Sequence, residues 1–189
     1  MIAPPMIARC ACGSVEYEAT GDPILGVACY CDDCQEGARR IEALPGASQV
    51  RDADGGVAYI LYRKDRIRCV KGGDRLQSHK LKPTTDTNRV VATCCNSAIA
   101  LTFDDSKHWV PINRARLKDP PLVDMRICTK FAPDAAAIPR DVPAYPGFSV
   151  RFIWKLLGAR LALALGRSTV AFVVPTGAKR SGGTFSQLQ

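Results

Sequence analysis

Nine cysteines in a chain of 189 residues are the strongest constraint on how it folds. Eight of them lie between residues 10 and 95, and seven of those fall into groups: Cys10-Ala11-Cys12-Gly13, Cys29-Tyr30-Cys31-Asp32-Asp33-Cys34 and Cys94-Cys95-Asn96. An odd number cannot pair completely into disulfides within one chain. Met1 to Ala8 is apolar, with two prolines and no basic region, which is not the build of a signal peptide. The expectation is a cytoplasmic protein with reduced thiols, where clustered cysteines serve as metal ligands rather than cystines.

Tetrahedral zinc takes four thiolates at about 2.3 Å. A C-x-C or C-x-x-C turn aims two sulfurs at one point, so a closed site needs two such turns from distant parts of the chain. Cys10 and Cys12 with Cys94 and Cys95 meet that requirement. Cys29, Cys31 and Cys34 offer three sulfurs within six residues. Three protein ligands with an open fourth position is the catalytic pattern, in which zinc binds a water or an outside thiol and lowers its pKa. Two other readings stand beside it: a closed site with a fourth ligand other than cysteine, and ordinary buried cysteines. Cys69 and Cys128 have no cysteine neighbour and read as ordinary buried thiols. His79 and His108 are candidate fourth ligands without local spacing support, and Asp33 is a candidate proton-handling group beside the second cluster.

The 47% apolar and 23% charged fractions are those of a globular protein and exclude a disordered or coiled-coil chain. Alternation and Gly turns predict strands at 14–19, 56–62, 65–70, 90–92 and 99–103, hence a mainly β cysteine-rich domain over residues 1–118. A short helix is expected over Glu36 to Leu44. Six prolines between 119 and 147 predict a connector with at most a short helix near Asp134. Residues 148–166 read as a helix with two apolar arcs, Ile153, Trp154, Leu157, Leu161, Ala164 and Leu165 on one side and Phe152, Leu156 and Leu163 on the other. Such a helix is expected to be buried on two sides, between its own domain and a second subunit of a homodimer. Thr169 to Val174 reads as a strand that completes a 148–174 extension, and 175–189 as a mobile tail.

The net charge is 26 − 18 = +8, and no Asp or Glu follows Asp141. The six cations of residues 142–189 are spread around the helix rather than on one face, so nucleic acid and membrane surfaces are not the expected partners.

Cys10-Ala11-Cys12-Gly13-Ser14-Val15-Glu16-Tyr17, then Cys29 to Cys34, then a late cysteine pair before a strand, resembles the glutathione-dependent formaldehyde-activating enzyme family. That family includes the centromere protein V domain and has an Mss4-like β fold. The resemblance covers roughly residues 8–103. It implies a structural zinc on Cys10, Cys12 and the late pair, and a second, functional zinc on Cys29, Cys31 and Cys34. The activity it implies is a carbon–sulfur lyase that joins the glutathione thiol to formaldehyde, with a small thiol or aldehyde as substrate. The sequence departs from the family pattern at three places. Ala92 stands three before Cys95, so adjacent Cys94 must serve as the ligand. Asn96 replaces a glycine, and Tyr30 replaces a common histidine. A rival reading is a non-enzymatic zinc-stabilised binding module with a basic C-terminal segment.

Overall fold

A computed structural model describes residues 4–104 and 107–165. Ten strands and two α-helices follow in the order β1 (Met6–Arg9), β2 (Glu16–Ala19), β3 (Leu25–Cys29), α1 (Asp32–Glu42), β4 (Val57–Arg63), β5 (Ile67–Lys71), β6 (Leu76–His79), β7 (Thr87–Ala92), β8 (Ser97–Phe103), β9 (Trp109–Asn113), β10 (Met125–Ile127) and α2 (Val150–Leu165). One sheet is β1-β2-β5; the other is β10-β3-β4-β9-β8-β7-β6. Every pairing is antiparallel except β10 on β3. This is the mainly β architecture that the motifs imply.

Strand β4 shows why its sequence, Val57-Ala58-Tyr59-Ile60-Leu61-Tyr62, is apolar without alternation. Successive side chains point to opposite faces of a sheet. Ile60 and Tyr62 join a core with Val15, Tyr17 and Ile67 beneath the small sheet. Val57, Tyr59 and Leu61 join a second core with Ile41 of α1 and Phe152 of α2. Both faces of the strand are covered, so neither face selects polar residues.

The predicted strands are present with shifted ends, and the alternation reading misses five: β1, β3, β6, β9 and β10. Strand β3 is buried on both faces and carries no alternation to read. Strand β10 lies inside the proline-rich connector. It survives there because its three residues contain no proline and pair with the edge of β3. Near Asp134 the connector makes only a 3₁₀ turn, Ala135–Ala137, capped by the Asp134 side chain.

Helix α1 begins at Asp32, four residues before the expected start, immediately after Cys31. Asp32 and Asp33 in its first turn and Arg39 and Arg40 in its last complement the helix dipole. Helix α2 is continuous through Gly158 and is capped by the Ser149 hydroxyl, which accepts from the Phe152 amide at 3.1 Å. Two-sided burial is not found within the described chain. The Phe152 and Leu156 side is buried, while Ile153, Trp154, Leu157, Leu161 and Leu165 are exposed. Only one arc of α2 meets the domain because the helix docks as an outer layer on a sheet, not between two layers. The expected strand at 169–174 and the tail at 175–189 lie outside the described residues.

Candidate metal centres

The sheets bring the cysteines into two groups whose ligand atoms lie within 4.8 Å of one another: Cys10, Cys12, Cys94 and Cys95, and Cys29, Cys31 and Cys34.

The first group joins the β1–β2 turn to the β7–β8 turn. Sulfur separations are 3.5 Å for Cys10–Cys12, 3.8 Å for Cys10–Cys94, 3.3 Å for Cys12–Cys94 and 3.9 Å for Cys94–Cys95. Four sulfurs at about 2.3 Å from a tetrahedral ion sit about 3.8 Å apart, so this spacing fits a metal. The adjacent pair Cys94-Cys95 places both of its sulfurs in this group. Its turn passes through Asn96 at φ 49°, a left-handed conformation that Asn tolerates better than most residues. The Asn96 side-chain Nδ2 also donates to the Pro45 carbonyl at 2.9 Å.

The surroundings favour thiolates. The Val15 amide donates to the Cys10 sulfur at 3.2 Å. Hydrogen bonds from Ser14 bring the exposed Cys12 thiol down to about 6. The Ser97 hydroxyl lies 3.1 Å from the Cys95 sulfur and accepts from the Ala11 amide at 3.0 Å, which ties the two turns together. Burial, and contact with the Cys12 and Cys10 sulfurs, push Cys94 up to about 12. Four sulfurs this close cannot all ionise without a cation between them.

The second group sits where β3 runs into α1. Cys29 ends the strand, Cys31 caps the helix, and Cys34 lies in its first turn, with its amide donating to the Cys31 carbonyl at 3.0 Å. A strand end followed at once by a helix start folds six residues into a three-sulfur corner. Cys29 and Cys31 sulfurs are 3.5 Å apart. Hydrogen bonds from Cys29 and Cys34, with the charge of Arg89 adding, pull the Cys31 thiol down to about 3. Contact with Cys128 and with Cys31 pushes Cys29 well above the ordinary thiol range.

Two residues near this corner escape the sequence reading. Arg89 of β7 is 4% exposed, donates from Nη2 to the Asp33 carbonyl at 2.5 Å, and has no hydrogen-bond partner for Nη1. Its partners lie 56 residues away, so no local pattern marks it. Cys128 is a buried thiol, as its sequence predicts, but it is not an isolated one. The parallel register places Ile127 opposite Cys29, and the next residue, Cys128, is buried in the same core as Cys29. A three-residue strand inside a proline-rich stretch hides that neighbour from sequence.

Asp33 carries its side chain into solvent, and its contact with the site runs through its backbone carbonyl. Neither histidine belongs to either sulfur group. His108 faces the Leu156 carbonyl at 2.9 Å instead, and burial lowers both His79 and His108. Cys69 is half-buried beside Tyr17. Tyr30, fully buried between Cys29 and Cys31, donates from its hydroxyl to Asp54 at 2.6 Å and accepts from Arg126 at 3.1 Å. Arg126 in turn pairs with Asp141 at 2.9 Å. An open cleft of about 510 Å³ lies beyond Asp54, between Arg51 and Pro133, and no cysteine lines it.

A mainly β chain with two cysteine corners, each able to hold a metal ion, is the class of protein defined by this fold and these sites. The chain belongs to the glutathione-dependent formaldehyde-activating enzyme family, whose sequence profile matches residues 5–135. A crystal structure of a Rhodobacter sphaeroides protein is 17% identical; the match covers 74% of this chain and 99% of that one, with a TM-score of 0.45. No curated protein matches the sequence. Among the described residues, no helix is long and apolar enough to cross a membrane.

Proposed function

We propose that the chain is a zinc-dependent carbon–sulfur lyase acting on the adduct of a small thiol, such as glutathione, and an aldehyde. The observation that supports this reading is the convergence of Cys29, Cys31 and Cys34, one ligand atom each, within 4.8 Å on a single strand-to-helix corner. Three sulfurs leave a tetrahedral ion one further position.

Zinc held there supplies a Lewis acid that lowers the pKa of a thiol and polarises a carbonyl oxygen. The protein residues do the rest. Cys29, Cys31 and Cys34 fix the ion at the N-terminus of α1, where the helix dipole favours negative charge. Arg89 brings a buried positive charge to the anionic sulfur set. Tyr30, buried and held at its hydroxyl by Asp54 and Arg126, anchors the backbone between the first two cysteines. Cys10, Cys12, Cys94 and Cys95 hold a second zinc whose work is structural, because it staples two turns that lie far apart in the chain.

The test is calorimetric titration of glutathione into zinc-loaded protein, with Cys31→Ser as the control. Binding in the millimolar range that is lost in the variant is the expected result. No heat at millimolar thiol would sink the glutathione reading.

A second reading, a zinc-stabilised binding module, draws on the exposed Trp154, Leu157 and Leu161 of α2 beside Arg151 and Lys155. On that reading the same titration is silent while the chain still carries zinc at both corners.

A further inference from the structure

We propose that Cys128 is the fourth sulfur ligand of the second centre, so that the ion on Cys29, Cys31 and Cys34 is tetrathiolate in the absence of substrate. This rests on the reading of that corner as a zinc site and deepens it, since the position left for an outside thiol is held by a residue of the chain itself.

Topology puts the residue there. Strand β10 runs parallel to β3 in the register Met125–Val27, Arg126–Ala28, Ile127–Cys29. Both strands end at the same level, so the chain leaves β10 at Cys128 beside the point where β3 delivers Cys29. The Tyr30 amide donates to the Ile127 carbonyl at 3.1 Å and extends the pairing past the cysteine. Cys128 is then held on both of its own backbone groups. Its amide donates to Gly147 at 3.2 Å, and its carbonyl accepts from the Phe131 amide at 3.1 Å. The chain turns there with φ 58°, a left-handed conformation that side chains other than glycine rarely adopt.

The side chain is buried to 4% exposure within the apolar core that also holds Cys29, Cys31 and Cys34. The register sets it beside Cys29, the last residue of β3, in the same core. Cys29, Cys31 and Cys34 lie within 4.8 Å of one another and Cys128 stands outside that limit, so its side chain must turn toward them to complete a four-sulfur site. No histidine, Asp or Glu joins the three sulfurs among the described residues, and the two nearest carboxylates in sequence, Asp32 and Asp33, are exposed.

Charge balance points the same way. A zinc ion with four thiolates carries a net charge of about −2, and burying it requires compensation. Arg89 lies buried, without a carboxylate partner and with Nη1 unpaired, and its charge acts on Cys31 and Cys34. Its buried charge offsets part of the charge of a sulfur-bound centre.

The experiment is zinc K-edge X-ray absorption on the full-length, zinc-loaded protein and on Cys128→Ser. About four sulfurs per zinc in the wild type, falling to about three and a half in the variant as an oxygen replaces one sulfur at one of two sites, is the expected result. A wild-type value already near three and a half overturns the proposal, whether or not the variant folds. An average of four that is unchanged in a folded Cys128→Ser protein also overturns it. The count is read without substrate, so failure of the protein to bind glutathione would sink the lyase reading and leave this one standing.

Discussion

The Arg89 guanidinium occupies the space that a Cβ on Gly37 would fill. Gly37 is buried in the second turn of α1, where alanine is ordinarily the better residue by about 1 kcal/mol. The helix accepts glycine because the guanidinium must pass it to reach the Asp33 carbonyl. Gly37→Ala should therefore destabilise the protein, by about 1–3 kcal/mol as overpacking generally does. Urea unfolding measures it, and the penalty should shrink in an Arg89→Met background. A Gly37→Ala protein as stable as the wild type would mean that Arg89 has another place to go.

Removing Arg89 also removes a buried positive charge beside Cys31 and Cys34. Supporting residues of this kind are typically worth 10–100-fold in metal affinity. Arg89→Met should lower zinc affinity at the second centre by about that factor and leave the first unchanged. Chelator competition resolves the two sites. Equal loss at both would show that the effect is general destabilisation.

The first centre joins turns 84 residues apart in sequence, through Cys10 and Cys94. A ligand that binds only the folded state stabilises it by about 4 kcal/mol at 1,000 times its dissociation constant. Stripping zinc, or Cys10→Ser, should lower the unfolding midpoint by a corresponding amount. Thermal unfolding with and without chelator is the measurement. Coincident curves would show that the two sheets hold together without the staple.

Acid should weaken the fold through its histidines. Burial lowers both His79 and His108 from their usual value near 6.5. Below that value the unfolded chain takes up protons that the folded chain refuses, so stability is full above about pH 6.5 and falls as pH drops toward the folded pKa. His108→Gln keeps a donor for the Leu156 carbonyl and should lose less stability between about pH 7.5 and pH 5.5 than the wild type does. An identical loss in the two proteins would exclude His108 as a source.

The homodimer expected from the two apolar arcs of α2 has a direct test. Phe152 and Leu156 are spent on the domain, and Trp154 and Leu157 are exposed. Sedimentation at micromolar concentration should give a dimer for the full-length chain and a monomer for Trp154→Glu with Leu157→Glu. A monomeric wild type removes the dimer.

Local chemistry made much of this protein legible in advance. Ser14 to Ala19 alternates, so its strand shows; Cys10-x-Cys12 and Cys29-x-Cys31-x-x-Cys34 bring sulfurs together within a few residues, so their groups show. Asn96 could be read as a left-handed turn because that preference belongs to the residue itself. What the tertiary structure decided has its cause far along the chain. The pairing of β10 on β3 sets Cys128 against Cys29, and no run of residues near 128 records it. The same holds for Arg89, whose aliphatic neighbours Val90 and Val91 mark a strand while its charge is placed by the Asp33 carbonyl, 56 residues earlier. Which arc of α2 is covered was also left to packing, because both arcs are apolar and only the docking of Phe152 and Leu156 tells them apart. Sequence fixes what depends on neighbours within a turn or a strand. Contacts between distant strands depend on register, which only the folded sheet supplies.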